Sequence, residues 1–308
     1  MKTHTSAQPA TGIGVSAPAG APAADGSRAG GAQDVASGET ALRRRALRRR
    51  IWVNLARVGF AVAFLAGWEA SARTKLIDGF FFGQPSEVVK QIREWVQHGT
   101  DAGSLWEQVG VTLEEAFLGF ILGVLLGVTC GIAFGRVRLL SEIFGPYIKI
   151  MNSIPRIVLG SIFIVWLGLG LSSKVALAIV LVFFAVFFNA YQGTREVDRN
   201  YLANARILGA SRGQVTRQVV LPSAFTWIIA SMHISFGFAL IGAIVGEFLG
   251  AERGLGVLIQ QAQGSFNPNG VFAAMFIIAV VALLTEGLIG LLERRLLRWR
   301  PPVPSADL

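Results

Sequence analysis

Residues 116–135 run for 20 positions without a charge, and residues 227–246 do the same. A helix rises about 1.5 Å per residue and the hydrocarbon core of a bilayer is about 30 Å thick, so about 20 apolar residues cross it. Residues 175–190 add a charge-free run of 16, and residues 271–285 one of 15. So many long blocks exclude a soluble core of buried helices. Composition agrees: 15% of the residues are charged, against about 25% in soluble domains. Two weaker spans complete the pattern. One covers roughly residues 53–70 and holds Arg57 and Glu69 near its ends. The other covers residues 143–171 and contains Pro155. Proline removes a helical hydrogen bond, so this stretch reads as one bent or interrupted span. The expected fold is an all-α membrane protein with six transmembrane helices.

Charge sets the expected orientation. Residues 1–40 are rich in Ala, Gly, Ser and Pro and lack the apolar core of a signal peptide. Residues 1–50 are therefore expected to be a disordered tail that ends in a basic anchor, Arg43, Arg44, Arg45, Arg48, Arg49 and Arg50. Beside a membrane span such a run suits the anionic inner surface better than a nucleic acid. Arg136 and Arg138 follow the second span, five arginines from Arg195 to Arg217 lie between the fourth and fifth, and Arg294, Arg295, Arg298 and Arg300 follow the sixth. The intervening loops are acidic or nearly neutral. This alternation predicts both termini in the cytoplasm, a transmembrane domain over 51–298 and a short cytoplasmic tail at 299–308. Cys130 stands alone, so no disulfide forms within the chain.

Gly119, Gly123, Gly127, Gly131 and Gly135 recur every four residues, and Gly242, Gly246 and Gly250 repeat the pattern in the fifth span. Each series makes one helix face on which another helix can approach closely. That face serves either static packing or sliding between moving helices. Glu286, Asn189 and His233 are polar within spans, where ionisable groups are costly and often functional. No Asp, Glu or His series continues through successive spans as a proton relay would. Glu286 therefore reads as a paired structural group and His233 as a packed, hydrogen-bonded one. No nucleophile–base pair or metal-ligand spacing is present, no basic residue lies mid-span in an obvious position to bind an anion, and catalysis in this chain is not expected.

The stretch YLANARILGASRGQVTRQVVLP, residues 201–222, is polar between two apolar blocks. It reads as a short helix ended by Gly209, a second helix capped by Ser211, and Pro222 in the first turn of the next span. Small residues Ala203, Ala205, Gly209 and Ala210 leave a surface of little bulk, suited to insertion into a groove on a partner.

This segment resembles the EAA loop of the permease subunits of ABC importers. That pattern is Glu-Ala-Ala, three residues, Gly, nine residues, Ile, any residue, Leu-Pro. Ala205, Gly209, Val219, Leu221 and Pro222 fall at the matching spacings, while Ala203 and Asn204 stand where the pattern has its glutamate and middle alanine. GQPSEVVKQI (83–92), SIPRIVLGSIFIVWLGLG (153–170) and GEFLGAERGLGVLI (246–259) are similar to segments of the nitrate/sulfonate/taurine branch. The resemblance covers about residues 51–298.

The resemblance implies a type I ABC importer permease fold in a bacterial inner membrane. It implies an ATP-binding subunit docked at a coupling segment, 195–222, a periplasmic solute-binding protein, and a second permease subunit, most simply another copy. Coupling falls to Leu202, Ala205, Arg206, Gly209, Ala210, Leu221 and Pro222, with Ala205 and Gly209 at the most crowded contacts. The chain has no GxxxxGK[ST] loop, so ATP and magnesium belong on the partner and this chain carries no cofactor. The implied solute is a small anion such as a sulfonate, taurine or nitrate. A standalone secondary transporter or channel is the alternative, and it predicts flux without an ATPase.

Overall fold

Glycine spacing determines how the long helices stack. The computed structural model describes residues 27–196 and 199–296. In chain order the helices are α1 (Ser27–Arg73), α2 (Gly79–Phe82), α3 (Pro85–His98), α4 (Leu105–Arg136), α5 (Arg138–Ser153), α6 (Arg156–Leu167) and α7 (Leu171–Arg195). They continue with α8 (Arg199–Ile207), α9 (Arg212–Val215), a π-helical turn (Thr216–Val220), α10 (Leu221–Gly250), α11 (Leu255–Gly264) and α12 (Pro268–Leu296). Among the described residues, five helical stretches are long and apolar enough to cross a membrane, and six spans result if the bent pair α5–α6 counts as one. The bend between α5 and α6 is 93°. It falls at Pro155, which cannot continue the hydrogen-bond ladder of α5.

The chain divides into two units, Met1–Phe64 and Leu65–Leu308. The first carries most of α1. Residues 27–50, expected to be disordered, form the start of that helix. The run 41–50 consists of Ala, Leu and Arg, all strong helix formers; the composition of residues 27–40, with Gly30, Gly31 and Gly38, offers no such account of the helix there. The expectations for residues 1–26 and 299–308 lie outside the described residues.

In the second unit α7 is clasped on two sides. Gly119, Gly123, Gly127, Gly131 and Gly135 of α4 lie against Ala178, Val182, Val186, Ala190 and Thr194 of α7. Both series advance by four, so the two helices run parallel. On the other side Gly246 of α10 meets Lys174, Gly242 meets Ala178, and Trp227 meets Gly193. Here one series rises as the other falls, so α10 runs antiparallel. Ala178 and Val182 are fully buried between these faces. Phe120, Phe236, Ala239 and Leu240 continue the core between α4 and α10.

A second apolar cluster joins Leu105 of α4, Leu255 and Leu258 of α11, and Ala274, Ile277 and Val281 of α12. Glu69 pins the start of α3 to the end of α1. Its carboxylate accepts the Gln84 amide at 2.7 Å and the Ser86 backbone N–H at 3.0 Å.

Candidate functional site

Three places concentrate polar chemistry in this apolar bundle. The first is the elbow between α7 and α10. Gly209 ends α8 with φ +79°, a left-handed backbone that favours glycine. Ala210 N–H donates to the Ala205 carbonyl at 3.0 Å, the 6→1 bond of a Schellman cap. Ser211 and Gln214 then form a reciprocal capping box: Ser211 N–H donates to Gln214 Oε1 at 2.8 Å and Gln214 N–H to Ser211 Oγ at 3.3 Å. Pro222 has no N–H and its ring crowds the preceding turn. The backbone widens just before it, with Leu221 N–H donating to the Thr216 carbonyl five residues back. Arg136, at the end of α4, donates to Thr216 Oγ1 and ties this widened turn to the glycine-faced helix.

The elbow has its own small core. Val215 and Val220 are buried, with Ala205, Ala210 and Val219 packed on them. The small residues Ala205 and Ala210 therefore face inward. Ile207 and Leu208 are 82% and 85% exposed and form an apolar tip.

The second place lies at the opposite end of the bundle, where the α10–α11 connection folds over α4. Gln108, Thr112, Glu115, Lys174 and Glu247 are all buried. Thr112 Oγ1 donates to Glu247 Oε1 at 2.6 Å and accepts the Leu255 N–H at 2.8 Å. Gly256 N–H donates to Glu247 Oε2 at 2.7 Å, and Gly254 N–H to Gln108 Oε1 at 2.7 Å. Three consecutive backbone amides are thus satisfied by three side chains. Glycine is needed at both ends of this loop. Gly254 has φ +116°, and a β-carbon there would stand 2.6 Å from Glu247 Oε2; one on Gly256 would stand 2.8 Å from Glu247 Cβ. Lys174 Nζ donates to the Leu169 carbonyl. Glu115 and Lys174 line a cavity of about 280 Å³ with Glu252 and Arg253.

The third place is the break in the third span. Arg156 opens α6 there and lies against Phe184 of α7 and Phe238 of α10. A basic side chain therefore stands mid-span after all. Its neighbourhood in sequence, SIPRIVLG, gave no sign that the break falls halfway through the bundle.

Residues 120–298 match the family of binding-protein-dependent transport system inner membrane components. The chain belongs to that family. It is 32% identical to the riboflavin transport system permease protein RibX of Chloroflexus aurantiacus over 83% of this chain and 94% of the relative. It is 31% identical to the formylaminopyrimidine transport permease protein ThiX of Halalkalibacterium halodurans, over 78% and 94%. The taurine transport system permease protein TauC of Escherichia coli is 29% identical over 80% and 90%. In fold, the chain is similar to one from the crystal structure of an amino acid ABC transporter with histidines: TM-score 0.50, 21% identity, 60% of this chain and 90% of that one. The protein is an inner-membrane permease subunit of an ABC importer, with the type I importer permease fold.

Within this permease, the sequence-derived coupling residues fall in different surroundings. Ala205 and Ala210 are half-buried against the elbow core, while Gly209, Leu221 and Pro222 are exposed. Among the described residues, no heavy atom lies within 4 Å of where a Gly209 β-carbon would stand, so φ calls for glycine there. The side chains of Leu202 and Arg206 lie outside the described residues. Gly119, Gly123, Gly127, Gly131, Gly242 and Gly246 are all buried on helix contacts. Glu286, read as a paired group, is exposed on α12 and has no hydrogen-bond or ionic partner among the described residues. Asn189 donates to the Ala185 carbonyl at 2.8 Å, and His233 is half-buried beside Gly290.

Sequence reasoning missed the Gln108–Thr112–Glu115–Lys174–Glu247 cluster. Glu115, Lys174 and Glu247 each adjoin a charge-free run, so each looked like an ordinary interfacial charge. The Gly-Leu-Gly of residues 254–256, seven residues after Glu247, was the available signal.

Proposed function

We propose that this permease subunit works as one of a pair of copies that form a membrane path for a small anionic solute, such as a sulfonate, taurine or nitrate. A separate ATP-binding subunit docks at the elbow and drives the path between two states. Arginine placement supports a cytoplasmic elbow and cytoplasmic termini, and thus a periplasmic position for the 251–256 loop, where a solute-binding protein would deliver its cargo. ATP hydrolysis and its magnesium belong to the docked subunit.

The observation that carries this reading is the elbow's exposed apolar tip, Ile207 and Leu208, held on a capped, internally packed turn. An apolar tip on a rigid support suits a groove in another protein. The elbow continues without a chain break into α10, whose glycine face packs on α7. A displacement of α8 would therefore be passed to the core of the bundle through Arg136–Thr216 and α10. TauC is named for taurine transport, which supports an anionic or zwitterionic solute. RibX and ThiX are named for riboflavin and formylaminopyrimidine, so the choice of solute rests on direct assay.

A Leu208→Cys variant, co-expressed with the neighbouring ATP-binding subunit, tests the docking. The expected result is a short-range cross-link to that subunit whose yield changes on adding ATP. Absence of any cross-link, together with labelling of the introduced thiol from the periplasmic face, would overturn the reading.

A further inference from the structure

The arginine at the break of the third span has an incomplete set of partners. α6 has 12 residues, about 18 Å at 1.5 Å per residue, so it crosses only part of a bilayer. Its course is fixed by contacts. Gly160, one turn in, meets Leu177 of α7 and Leu249 of α10, and Leu169, just beyond its end, meets Gly250. These neighbours lie toward the 251–256 end of α7 and α10. Its first residue, Arg156, lies 5.8 Å from the ring centre of Phe184 and 6.0 Å from that of Phe238. Phe184 sits near the middle of the charge-free run 175–190, and Phe238 near the middle of 227–246. α6 is a half-helix whose N-terminus opens at mid-depth.

Arginine carries five N–H donors and stays charged. Among the described residues, the only hydrogen bond from this guanidinium runs from Nη2 to Asn152 Oδ1 at 2.6 Å. Nε is buried without an acceptor, and no carboxylate among the described residues pairs with the side chain. The two phenyl faces stabilise the cation but accept no conventional hydrogen bond. Pro155 gives α6 no side-chain cap. Val158 N–H donates to the Pro155 carbonyl at 3.0 Å, whereas the Arg156 and Ile157 amides that precede it have no intrahelical acceptor, and the positive end of the helix dipole adds to the arginine charge. A charged group inside a membrane that lacks its counter-charge calls for one from elsewhere.

We infer that the break between α5 and α6 is a mid-membrane anion site, in which Arg156 receives the sulfonate or carboxylate head of a small organic anion. The planar guanidinium matches two oxygens of such a head, and a half-helix N-terminus at the bilayer centre suits the same charge. The rings of Phe184 and Phe238 hold the guanidinium in place, and among the described residues Nη1 donates no hydrogen bond. A site of one arginine and a dipole holds an anion weakly, as passage requires. This inference rests on the permease reading and names the charge class that the membrane path accepts.

The test uses the full complex with its ATP-binding subunit in nanodiscs, in a Cys130→Ser background with Ser153→Cys beside the break. Anionic (ethylsulfonate) and cationic (ethyl-trimethylammonium) methanethiosulfonate reagents are compared for rate. With Arg156 present, the anionic reagent should be favoured by about tenfold over its ratio at a free thiol. Ethanesulfonate should slow its reaction. Arg156→Gln should remove both effects, and Arg156→Lys should keep the charge preference. An unchanged ratio in Arg156→Gln, or no reaction with either reagent, overturns the site. Should Arg156→Gln fail to assemble, the absence of ethanesulfonate protection in the Arg156 form overturns it alone. ATP hydrolysis by the same discs reports the permease pairing separately. Retained hydrolysis with charge-blind labelling rejects only the anion site, whereas failure of the ATP-binding subunit to associate rejects the pairing.

Discussion

A β-carbon built on Gly123 would stand 2.6 Å from Val182 Cβ. α4 and α7 meet with no room for a side chain on the α4 side, and the contact recurs every four residues. Gly123→Leu is expected to destabilise the subunit by about 1–3 kcal/mol through overpacking. Gly110→Ala, where nothing lies within 4 Å, should be neutral or stabilising by about 0.5–1 kcal/mol through helix propensity. Thermal unfolding of the two variants in the same detergent checks both. Equal melting temperatures would show that the glycine face is not a packing requirement.

Gly209→Val places a β-branched residue at φ +79°, at a cost of about 1–2 kcal/mol or more. The Schellman cap should open and the tip at Ile207 and Leu208 should turn away. The expected phenotype is normal membrane insertion, solute uptake lost, and ATP hydrolysis no longer tied to transport. Uptake at the parental rate would refute it.

Thr112→Val removes the donor to Glu247 and the acceptor of the Leu255 N–H, both buried. Each group left unsatisfied costs about 1–3 kcal/mol. Thr112→Ser keeps the hydroxyl and should recover most of the loss. Proteolysis within 251–256, measured on intact discs, should accelerate in the valine variant and not in the serine variant.

Arg253→Ala serves as a contrast in the same loop. Arg253 and Glu107 pair at 2.6 Å, but their side chains are 61% and 43% exposed, and exposed pairs contribute about 0–1 kcal/mol. Stability should change little, and added salt should erase whatever difference exists. A loss comparable with that of Thr112→Val would show that the ion pair, not the buried hydroxyl, fastens the loop.

Long charge-free runs, the four-residue glycine spacing and Gly209 between two polar helices determined the class of fold, the packing faces and the elbow from the amino-acid sequence alone. These signals are local: hydropathy, helical periodicity and a backbone that only glycine adopts easily. The tertiary structure decided what depends on residues far apart in the chain. Thr112 meets Glu247 across 135 positions, so Glu247 fastens the 254–256 loop, and Glu115 and Lys174, which also looked interfacial, are buried near it. Ala205 turns inward because Val215 and Val220 lie beneath it, which leaves Ile207 and Leu208 as the outer tip. Arg156, which looked like a residue near a loop, stands at mid-depth because α6 packs on the halves of α7 and α10 nearest the 251–256 loop. A hydropathy pattern can locate a break in a span, but only the packing of neighbouring helices sets how deep that break lies.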